Sequence, residues 1–374
     1  MTISAAVLSE ANGSFAIRSV ELGPIADHEI LVRVAGVGIC HTDIAVRDRV
    51  IPVPLPVVLG HEAAGTVERI GSSVGDVSVG DKVVIGFMSC GTCPACDDSV
   101  PGYCESFALL NFMGSRIDGS TAWTLNGEPL GSHFFGQSSF ATHAVVSARN
   151  VVKVSTDLPL ELLGPLGCGF MTGAGAVLNS LDCEAGSSFA VFGAGPVGMA
   201  AIMAAKARDC AEIIAIDPLP ERRKTAMEVG ATAVCDPGSE KDLAEAIRAI
   251  VPSGVQAALD TTGVPAVIAA AIASLAKRGT CALVAAPKTA GATVPVAFGS
   301  LAASGARIIG VMEGDADLKS FIPELLDLQR EGKFPFEQLI QTYPFEEIER
   351  AIAEQAAGIC VKAVLIMDEP DARN

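Results

Sequence analysis

Residues that bind zinc in proteins stand in two short runs of this sequence. Cys40 opens the run CHTD at residues 40–43, and His61 is the centre of the run GHE at residues 60–62. With Cys168, much further along the chain, they would offer one imidazole and two thiolates to a tetrahedral zinc. Three protein ligands leave the fourth position of the ion open, as a catalytic zinc requires. We expect a substrate oxygen to bind at that position.

A second group of cysteines lies within one segment, which contains Cys90, Cys93, Cys96 and Cys104. Four thiolates close a tetrahedral zinc site and leave no position for a substrate. Such a site stabilises a fold instead of catalysing a reaction. We therefore predict a structural zinc here, in addition to the catalytic zinc. We interpret the remaining cysteines as buried thiols: Cys183, Cys210, Cys235, Cys281 and Cys360.

A glycine-rich turn follows in the second half of the chain. The apolar run at residues 189–192 predicts a strand, which leads into GAGPVG at residues 193–198 and then into an alanine-rich helix. This order of strand, glycines and helix is typical of a site for the pyrophosphate of a dinucleotide. Gly193 would allow the tight turn, Gly195 the approach of the pyrophosphate, and Gly198 the close packing of the helix. The N-terminus of that helix favours negative charge.

Asp217 follows the next predicted strand, at residues 212–216. An acidic residue there can accept hydrogen bonds from both hydroxyl groups of the adenosine ribose and would repel a 2′-phosphate. We therefore predict NAD in preference to NADP, although the cationic Arg222 and Arg223 stand nearby. The residues assigned to the cofactor in this part of the chain are Gly193, Gly195, Pro196, Val197, Gly198, Asp217 and Arg222.

The elements that must position these groups are of two kinds. Up to residue 155, short apolar runs alternate with glycine, proline and aspartate, which is typical of a β-rich, barrel-like domain without long helices. These runs are residues 30–37, 64–70, 82–87 and 141–146. Beyond them, strands alternate with helices, which predicts a parallel sheet. We therefore predict an α/β protein with a doubly wound nucleotide-binding domain at residues 156–309, flanked by a discontinuous metal-binding domain at residues 1–155 and 310–374.

Composition narrows the class of protein. The chain has 374 residues, half of them apolar and 18% charged, with a net charge of −17, so it can bury two cores. A nucleic-acid partner is not expected, because such binders concentrate lysine and arginine. The apolar stretches are interrupted by glycine and proline, and residues 1–8 do not look like a signal peptide, so we expect a cytoplasmic protein without a membrane segment. Residues 109–137, polar and glycine-rich, could be a surface insertion, a lid or a subunit contact.

Four motifs together resemble those of the zinc-dependent medium-chain alcohol dehydrogenases: CHTD, GHE, the four-cysteine segment and GAGPVG. The resemblance extends over nearly the whole chain. The runs FGQSSF at residues 135–140 and LGCGFMTGAGAVLN at residues 166–179 look like those of aryl-alcohol (benzyl alcohol) dehydrogenases and related terpene-alcohol enzymes. The resemblance implies a GroES-like catalytic domain, a Rossmann domain for NAD, an active site in the cleft between them, and a homodimer or homotetramer. The implied reaction is the reversible, NAD-linked oxidation of a primary alcohol, aromatic or allylic first, to the aldehyde.

The same resemblance assigns roles near the catalytic zinc. Cys40, His61 and Cys168 would be its ligands, Asp43 would accept a hydrogen bond from the second ring nitrogen of the imidazole, and Glu62 would lie just behind the metal.

The resemblance also implies a path for the proton. Thr42 would take it from the alcohol. Many relatives end the proton relay with a histidine where this chain has Ala45. His41 would therefore be either a contact to the pyrophosphate or a substitute proton acceptor. Lys362 matches a basic residue that reaches the pyrophosphate, or is simply solvated.

Two other functions compete with this one. A glutathione-dependent formaldehyde dehydrogenase, which acts on S-hydroxymethylglutathione, would share the motifs. A redox sensor that binds NADH on an inert enzyme scaffold would share the fold, although it has no need of a complete set of zinc ligands.

Overall fold

The computed structural model describes residues 1–286 and 291–367, which fall into two compact units. The first unit contains Met1–Cys168, Asp317–Pro323 and the described residues from Leu339 onward. The second contains Gly169–Ala316 and Glu324–Gln338. These boundaries differ from the expected ones at residues 155 and 310, because residues 156–168 pack with the first unit, and residues 310–316 and 324–338 with the second.

The strands lie at β1 Thr2–Leu8, β2 Ala16–Leu22, β3 Glu29–Gly38, β4 Val57–Val58, β5 Ala63–Ile70, β6 Lys82–Ile85, β7 Trp123–Leu125, β8 Glu128–Leu130, β9 His143–Ser147, β10 Val151–Lys153, β11 Ser188–Phe192, β12 Glu212–Ile216, β13 Ala233–Cys235, β14 Val255–Asp260, β15 Leu275–Leu283, β16 Arg307–Gly310, β17 Ile340–Pro344 and β18 Lys362–Ile366. The helices lie at α1 His41–Arg47, α2 Pro94–Asp97, α3 Phe107–Phe112, α4 Gly169–Gly175, α5 Pro196–Ala207, α6 Pro220–Val229, α7 Leu243–Ile250, α8 Pro265–Ala273, α9 Phe298–Ser304, α10 Leu318–Arg330 and α11 Ile348–Ala356. Short 3-10 and π turns connect several of them.

The first unit is β-rich, as its short alternating runs predict. One sheet has the strand order β4-β1-β2-β7-β8, and the other has the order β10-β6-β5-β3-β18-β17 with β9 also paired to β3. The four predicted runs correspond to β3, β5, β6 and β9. Its helices α1, α2 and α3 are short, so the metal-binding runs lie in loops and single helical turns between strands.

Residues 109–137 extend the first sheet of this unit. β7 pairs with β2 through Leu22 and Trp123, and β8 pairs with β7. Trp123, the only tryptophan, has no exposed surface. The segment is therefore part of a packed sheet, and the tryptophan reports on the folding of the first unit.

The second unit contains a six-stranded parallel sheet in the order β13-β12-β11-β14-β15-β16. This is the strand order of a doubly wound dinucleotide-binding fold, and it confirms the predicted fold class. Its central strands are mostly apolar because helices cover both faces of a parallel sheet. All five residues of β11 are buried. The glycine-rich turn follows β11, where the strand order reverses, and ligands bind in such folds at that point.

The helices of the described residues are short for membrane spans. No single helix in residues 1–286 and 291–367 is long and apolar enough to cross a membrane, although the bent pair Leu160–Gly167 and Gly169–Ser180 passes by length and composition.

Candidate active site

Asp43 joins the two segments that carry Cys40 and His61. Cys40 immediately precedes α1, and Asp43 Oδ2 accepts a hydrogen bond from the Cys40 backbone N–H at 3.0 Å. This contact satisfies one of the backbone donors that the start of a helix leaves free. Asp43 Oδ1 lies 3.0 Å from the Gly60 backbone nitrogen and 3.0 Å from His61 Nδ1. A single buried carboxylate thus fixes both segments.

The His61 imidazole is enclosed by Asp43 and two aromatic rings. The Phe135 ring stacks on it, with 4.4 Å between ring centroids and 26° between ring planes, and Phe134 meets it edge-on at 5.5 Å. Since Nδ1 contacts Asp43, only Nε2 can bind a ligand. Nε2 is buried and has no hydrogen-bond partner among the described residues. Leaving a buried polar atom unpaired is costly, so this nitrogen is ready for a ligand.

Four potential metal ligands converge at this place in the first unit. Cys40, His61, Glu62 and Cys168 each offer one donor atom, and these atoms lie within 4.8 Å of one another. Around a tetrahedral zinc with bonds of roughly 2.0–2.3 Å, the donor atoms lie roughly 3.3–3.8 Å apart, which is within that limit. Two sulfurs, one imidazole nitrogen and a carboxylate are donors that zinc accepts. The residues therefore fit a zinc ion.

The electrostatics of the same residues favour a cation. A hydrogen bond from the Cys168 thiol holds the pKa of Cys40 well below its usual value, although burial acts in the opposite direction. Burial disfavours the protonated form of His61, but Asp43 and Cys40 outweigh it and raise the pKa of His61 well above its usual value. Because the thiolate is the metal-binding form of cysteine, the site is prepared for a positive ion.

Lys362 lies behind these donors in an ion pair with Glu62. It is 1% exposed, and its Nζ also donates to the Ile39 carbonyl oxygen at 2.8 Å. Burial opposes the charged lysine, yet Glu62 and Cys40 outweigh it and raise the pKa of Lys362. This placement contradicts the expectation of a solvated lysine, whereas contact of Lys362 with a pyrophosphate stays a prediction.

The first turn of α1 carries the other predicted residues. Thr42 is half-buried, and its Oγ1 lies 3.6 Å from Cys40 Sγ. His41 is exposed, whereas Ala45 is 6% exposed. The structure thus brings Thr42 to the donor cluster and leaves His41 at the surface of the first unit, where both of its possible roles stay predictions.

The four-cysteine segment also folds around a common point. The sulfurs of its cysteines lie within 4.8 Å of one another, and none forms a disulfide: Cys90, Cys93, Cys96 and Cys104. Backbone N–H groups point at sulfur, from Cys90 to Cys104 at 3.2 Å and from Gly91 to Cys96 at 3.3 Å. Hydrogen bonds from Thr92 lower the pKa of Cys90 to about 6. Donors aimed at sulfur stabilise thiolates, so this segment also fits a zinc ion.

The glycine-rich turn of the second unit has the shape expected of a pyrophosphate site. Gly193 has a φ of 97°, and its N–H donates to the Ile216 carbonyl at 2.7 Å. A Cβ on Gly198 would lie 1.9 Å from the Gly193 carbonyl oxygen, so the helix can only pack this closely without a side chain. A Cβ on Gly195 would meet nothing within 4 Å, which leaves the N-terminus of α5 open to a ligand. Pro196 and Val197 form the first turn of that helix.

Asp217 is held against this turn. Its Oδ2 accepts a hydrogen bond from the Ala194 N–H and its Oδ1 one from the Leu219 N–H, both at 2.8 Å. Arg222 Nη1 lies 3.8 Å from the Asp217 carboxylate, and Arg223 donates to the Asp217 carbonyl at 2.7 Å. Arg222 thus faces the Asp217 carboxylate, whereas Arg223 Nη2 pairs with the Asp236 carboxylate at 3.1 Å.

Comparison with known proteins identifies the family. Residues 26–156 match the family model of the alcohol dehydrogenase GroES-like domain, and residues 196–328 match that of the zinc-binding dehydrogenases. Geraniol dehydrogenase of Castellaniella defragrans is 46% identical over 367 residues, which are 98% of this chain and 98% of that protein. The chain belongs to the zinc-binding alcohol dehydrogenases.

Solved structures of similar enzymes agree with this assignment. Benzyl alcohol dehydrogenase from Acinetobacter calcoaceticus is 41% identical with a TM-score of 0.94, over 98% of this chain and 100% of that one. An alcohol dehydrogenase zinc-binding domain protein from Burkholderia ambifaria is 46% identical with a TM-score of 0.96, over 99% and 100% of the two chains. The predicted family, the GroES-like and Rossmann domains, and the prediction of an alcohol dehydrogenase are confirmed.

Three residues of this alcohol dehydrogenase site were not predicted to act on it. Phe134 and Phe135 pack on the imidazole of His61, and Gly38 lies against Glu62, where a Cβ would be 2.1 Å from Oε2. The run FGQSSF includes Phe135, but its sequence carries no sign that the ring turns onto a histidine. Gly38 ends a predicted strand and has the same appearance as any glycine before a turn.

Proposed function

We propose that this enzyme catalyses the reversible, NAD-linked oxidation of a primary alcohol to an aldehyde, at a zinc ion held by Cys40, His61 and Cys168. The convergence of these donors on the unpaired Nε2 of His61 carries the proposal. The relatives support the choice of substrate, since one is named for geraniol, an allylic alcohol, and another for benzyl alcohol, an aromatic one. We therefore expect allylic or aromatic primary alcohols to be oxidised best.

The residues around the donors would each make a separate contribution. Zinc, when bound, would polarise the alcohol oxygen and favour loss of its proton. Asp43 fixes the orientation of the imidazole and the nitrogen that faces the metal, which a hydrogen-bonded carboxylate commonly does for a histidine ligand. Thr42 Oγ1 lies beside Cys40 Sγ, so its hydroxyl can accept the alcohol proton while it gives up its own.

The second unit would supply the hydride acceptor. NAD, when bound, would supply the nicotinamide ring that accepts a hydride, and the protein would chiefly provide orientation. Gly193, Gly195 and the start of α5 would hold the pyrophosphate, and Asp217 the adenosine ribose. The ion pairs of Arg222 with Asp217 and of Arg223 with Asp236 support NAD over NADP, since arginines that face a carboxylate are less available to a 2′-phosphate.

The four-cysteine segment would hold the second zinc. Its sulfurs fill all positions of a tetrahedral ion, so that metal would stabilise the first unit without touching a substrate.

A substrate panel tests the proposal directly. The formation of NADH is followed by absorbance with benzyl alcohol, geraniol, ethanol and S-hydroxymethylglutathione, each with NAD and with NADP, before and after treatment with a zinc chelator. Cys40→Ser should abolish turnover while the second unit still binds NADH. Cys281→Ser is the matched control, because it removes a fully buried thiol from β15 of the second unit and should leave turnover intact.

The other outcomes of the panel are equally informative. Strong activity on S-hydroxymethylglutathione with weak activity on benzyl alcohol would identify a formaldehyde dehydrogenase. Bound zinc and NADH without turnover of any alcohol would favour the redox sensor.

A further inference from the structure

Phe135 stacks on His61 in an unfavourable backbone conformation. Its φ of 52° and ψ of 30° are those of the left-handed region, which residues with a Cβ rarely adopt. Such conformations persist only where surrounding contacts compensate for them, and they are found most often at functional sites. The ring itself is 3% exposed. The conformation turns this ring onto the imidazole that faces the metal donors.

The turn that carries Phe135 is fastened on both sides. The Phe134 N–H donates to Ser138 Oγ at 2.8 Å, which closes the turn. Gln137 Nε2 donates to the His61 carbonyl at 2.9 Å and to the Gly86 carbonyl at 3.1 Å. Gln137 has no exposed surface. The turn therefore contacts His61 twice, at the ring through Phe135 and at the backbone through Gln137.

Helix α3 supports the other side of the Phe135 ring. Phe107 lies 6.2 Å from Phe135 between ring centroids and Phe112 lies 5.4 Å from it, both with planes at 89°. Edge-to-face contacts of this kind are favourable beyond the burial of apolar area. We call these rings, together with Phe134, the aromatic cluster.

Helix α3 is in turn fastened to both ends of the four-cysteine segment. The Phe107 N–H donates at 2.8 Å to the carbonyl of Cys104, the last cysteine of the segment. Asn111 exchanges two hydrogen bonds with the backbone of Met88, shortly before Cys90, each at 2.9 Å. Asn111 is fully buried, so these bonds are shielded from water. A loosened four-cysteine segment would therefore loosen α3.

We propose that Phe135 is a positioning residue for His61, and that the four-cysteine segment holds it in place through α3 and the aromatic cluster. Metal in the four-cysteine site would thereby strengthen metal binding by Cys40, His61 and Cys168. This inference rests on the metal sites of the proposed function. It concerns how tightly the chain binds zinc, so it does not require turnover.

Competition with a zinc chelator on the full chain tests the inference. The wild type should release zinc in two transitions, and the transition missing in Cys40→Ser belongs to the catalytic site. Phe135→Ala should lower the zinc affinity of the catalytic site by about 10-fold. This is the lower end of the range for residues that orient a metal ligand. Phe135→Leu, which keeps most of the volume but not the flat face, should lower this affinity as well. Asn111→Leu should act in the same direction without touching the imidazole.

Phe345→Ala is the matched control, because it removes another buried phenylalanine from the first unit. Fluorescence of the tryptophan shows whether each variant is folded. If Phe135→Ala weakens zinc binding at the catalytic site no more than Phe345→Ala does, the inference is wrong, but the proposed function is unaffected. If Cys40→Ser removes none of the zinc-release transitions seen in the wild type, the proposed catalytic zinc is wrong as well. Substitution with Co²⁺ gives a second readout, since its absorption spectrum should change in Phe135→Ala and not in Phe345→Ala.

Discussion

Gly38→Ala should destabilise the first unit because it places a methyl group on the buried ion pair behind the zinc donors. A Cβ at Gly38 would lie 2.1 Å from Glu62 Oε2, 3.0 Å from Lys362 Cε and 3.1 Å from Pro165 Cγ. The first distance is far inside van der Waals contact. Glu62 and Lys362 are both fully buried, so neither can move into solvent to make room.

The expected loss follows from the balance of three terms. Adding a methyl group to a packed site costs about 1–3 kcal/mol. Breaking a buried ion pair completely costs about 3–5 kcal/mol, but here the partners are displaced and not removed. Replacing glycine by alanine restricts the unfolded chain and returns about 0.4–1 kcal/mol. We therefore expect a net loss of about 2–3 kcal/mol, which lowers the melting temperature of a unit of this size by about 5–10 °C.

The fluorescence of Trp123, which lies in the first unit, measures this loss during thermal unfolding at a fixed zinc concentration. Gly75→Ala is the control, because a Cβ there would meet nothing within 4 Å. In the double variant Gly38→Ala/Glu62→Asp, the shorter carboxylate should recover part of the loss. If Gly38→Ala unfolds at the same temperature as Gly75→Ala, the described packing around Glu62 is wrong.

Three further predictions concern other parts of the chain. Asp217→Ala should relax the preference for NAD, measured as the ratio of kcat/KM with NAD and NADP, and an unchanged ratio would refute its role. Cys93→Ser should lower the thermal midpoint of the first unit, whereas a stable but slow variant would contradict a structural metal. Burial raises the pKa of Glu29, but Arg116, with hydrogen bonds from His133 and the Ala26 backbone, outweighs it, so the pKa lies well below its usual 4.5. The stability contributed by ionised Glu29 is thus present above pH 4.5 and lost as the pH falls through the lower folded value. Arg116→Met should lower the free energy of unfolding at pH 7 and should make it decline less steeply in acid. Urea unfolding at several pH values measures this. A decline parallel to that of the wild type would contradict the prediction.

Strands that are buried on both faces of the parallel sheet were predictable from the sequence. β12 has the predicted bounds, residues 212–216, because a central parallel strand is a mostly apolar run with clear ends. The alanine-rich run that begins at Pro265 is helical only as far as Ala273, since Leu275 already belongs to β15 and pairs with β14. Alanine-rich sequence favours a helix there, and sheet pairing overrides that preference. β1 was not predicted, because its serine and alanine residues give little strand signal.

The groups of potential metal donors were predictable because their residue types are rare and chemically specific, whereas the residues that support them were not. Lys362 pairs with Glu62 across the length of the chain, and no local pattern links them. The left-handed backbone of Phe135 is equally invisible, since the sequence position would suit glycine or asparagine better. Supporting contacts of this kind depend on tertiary packing, which periodicity and motif spacing do not encode.

Under the proposed function, the first turn of α1 also limits how the alcohol proton can leave. Ala45, where many relatives have a histidine, is buried and has no group that can carry a proton. Both oxygens of Asp43 already accept hydrogen bonds from Cys40, Gly60 and His61, so a proton there would break the contacts that orient the imidazole. His41 is next to Thr42 in the chain and is exposed on the first unit. A proton passed on by Thr42 therefore leaves through His41 or goes directly to water, and in either case Asp43 keeps the hydrogen bond that orients the imidazole.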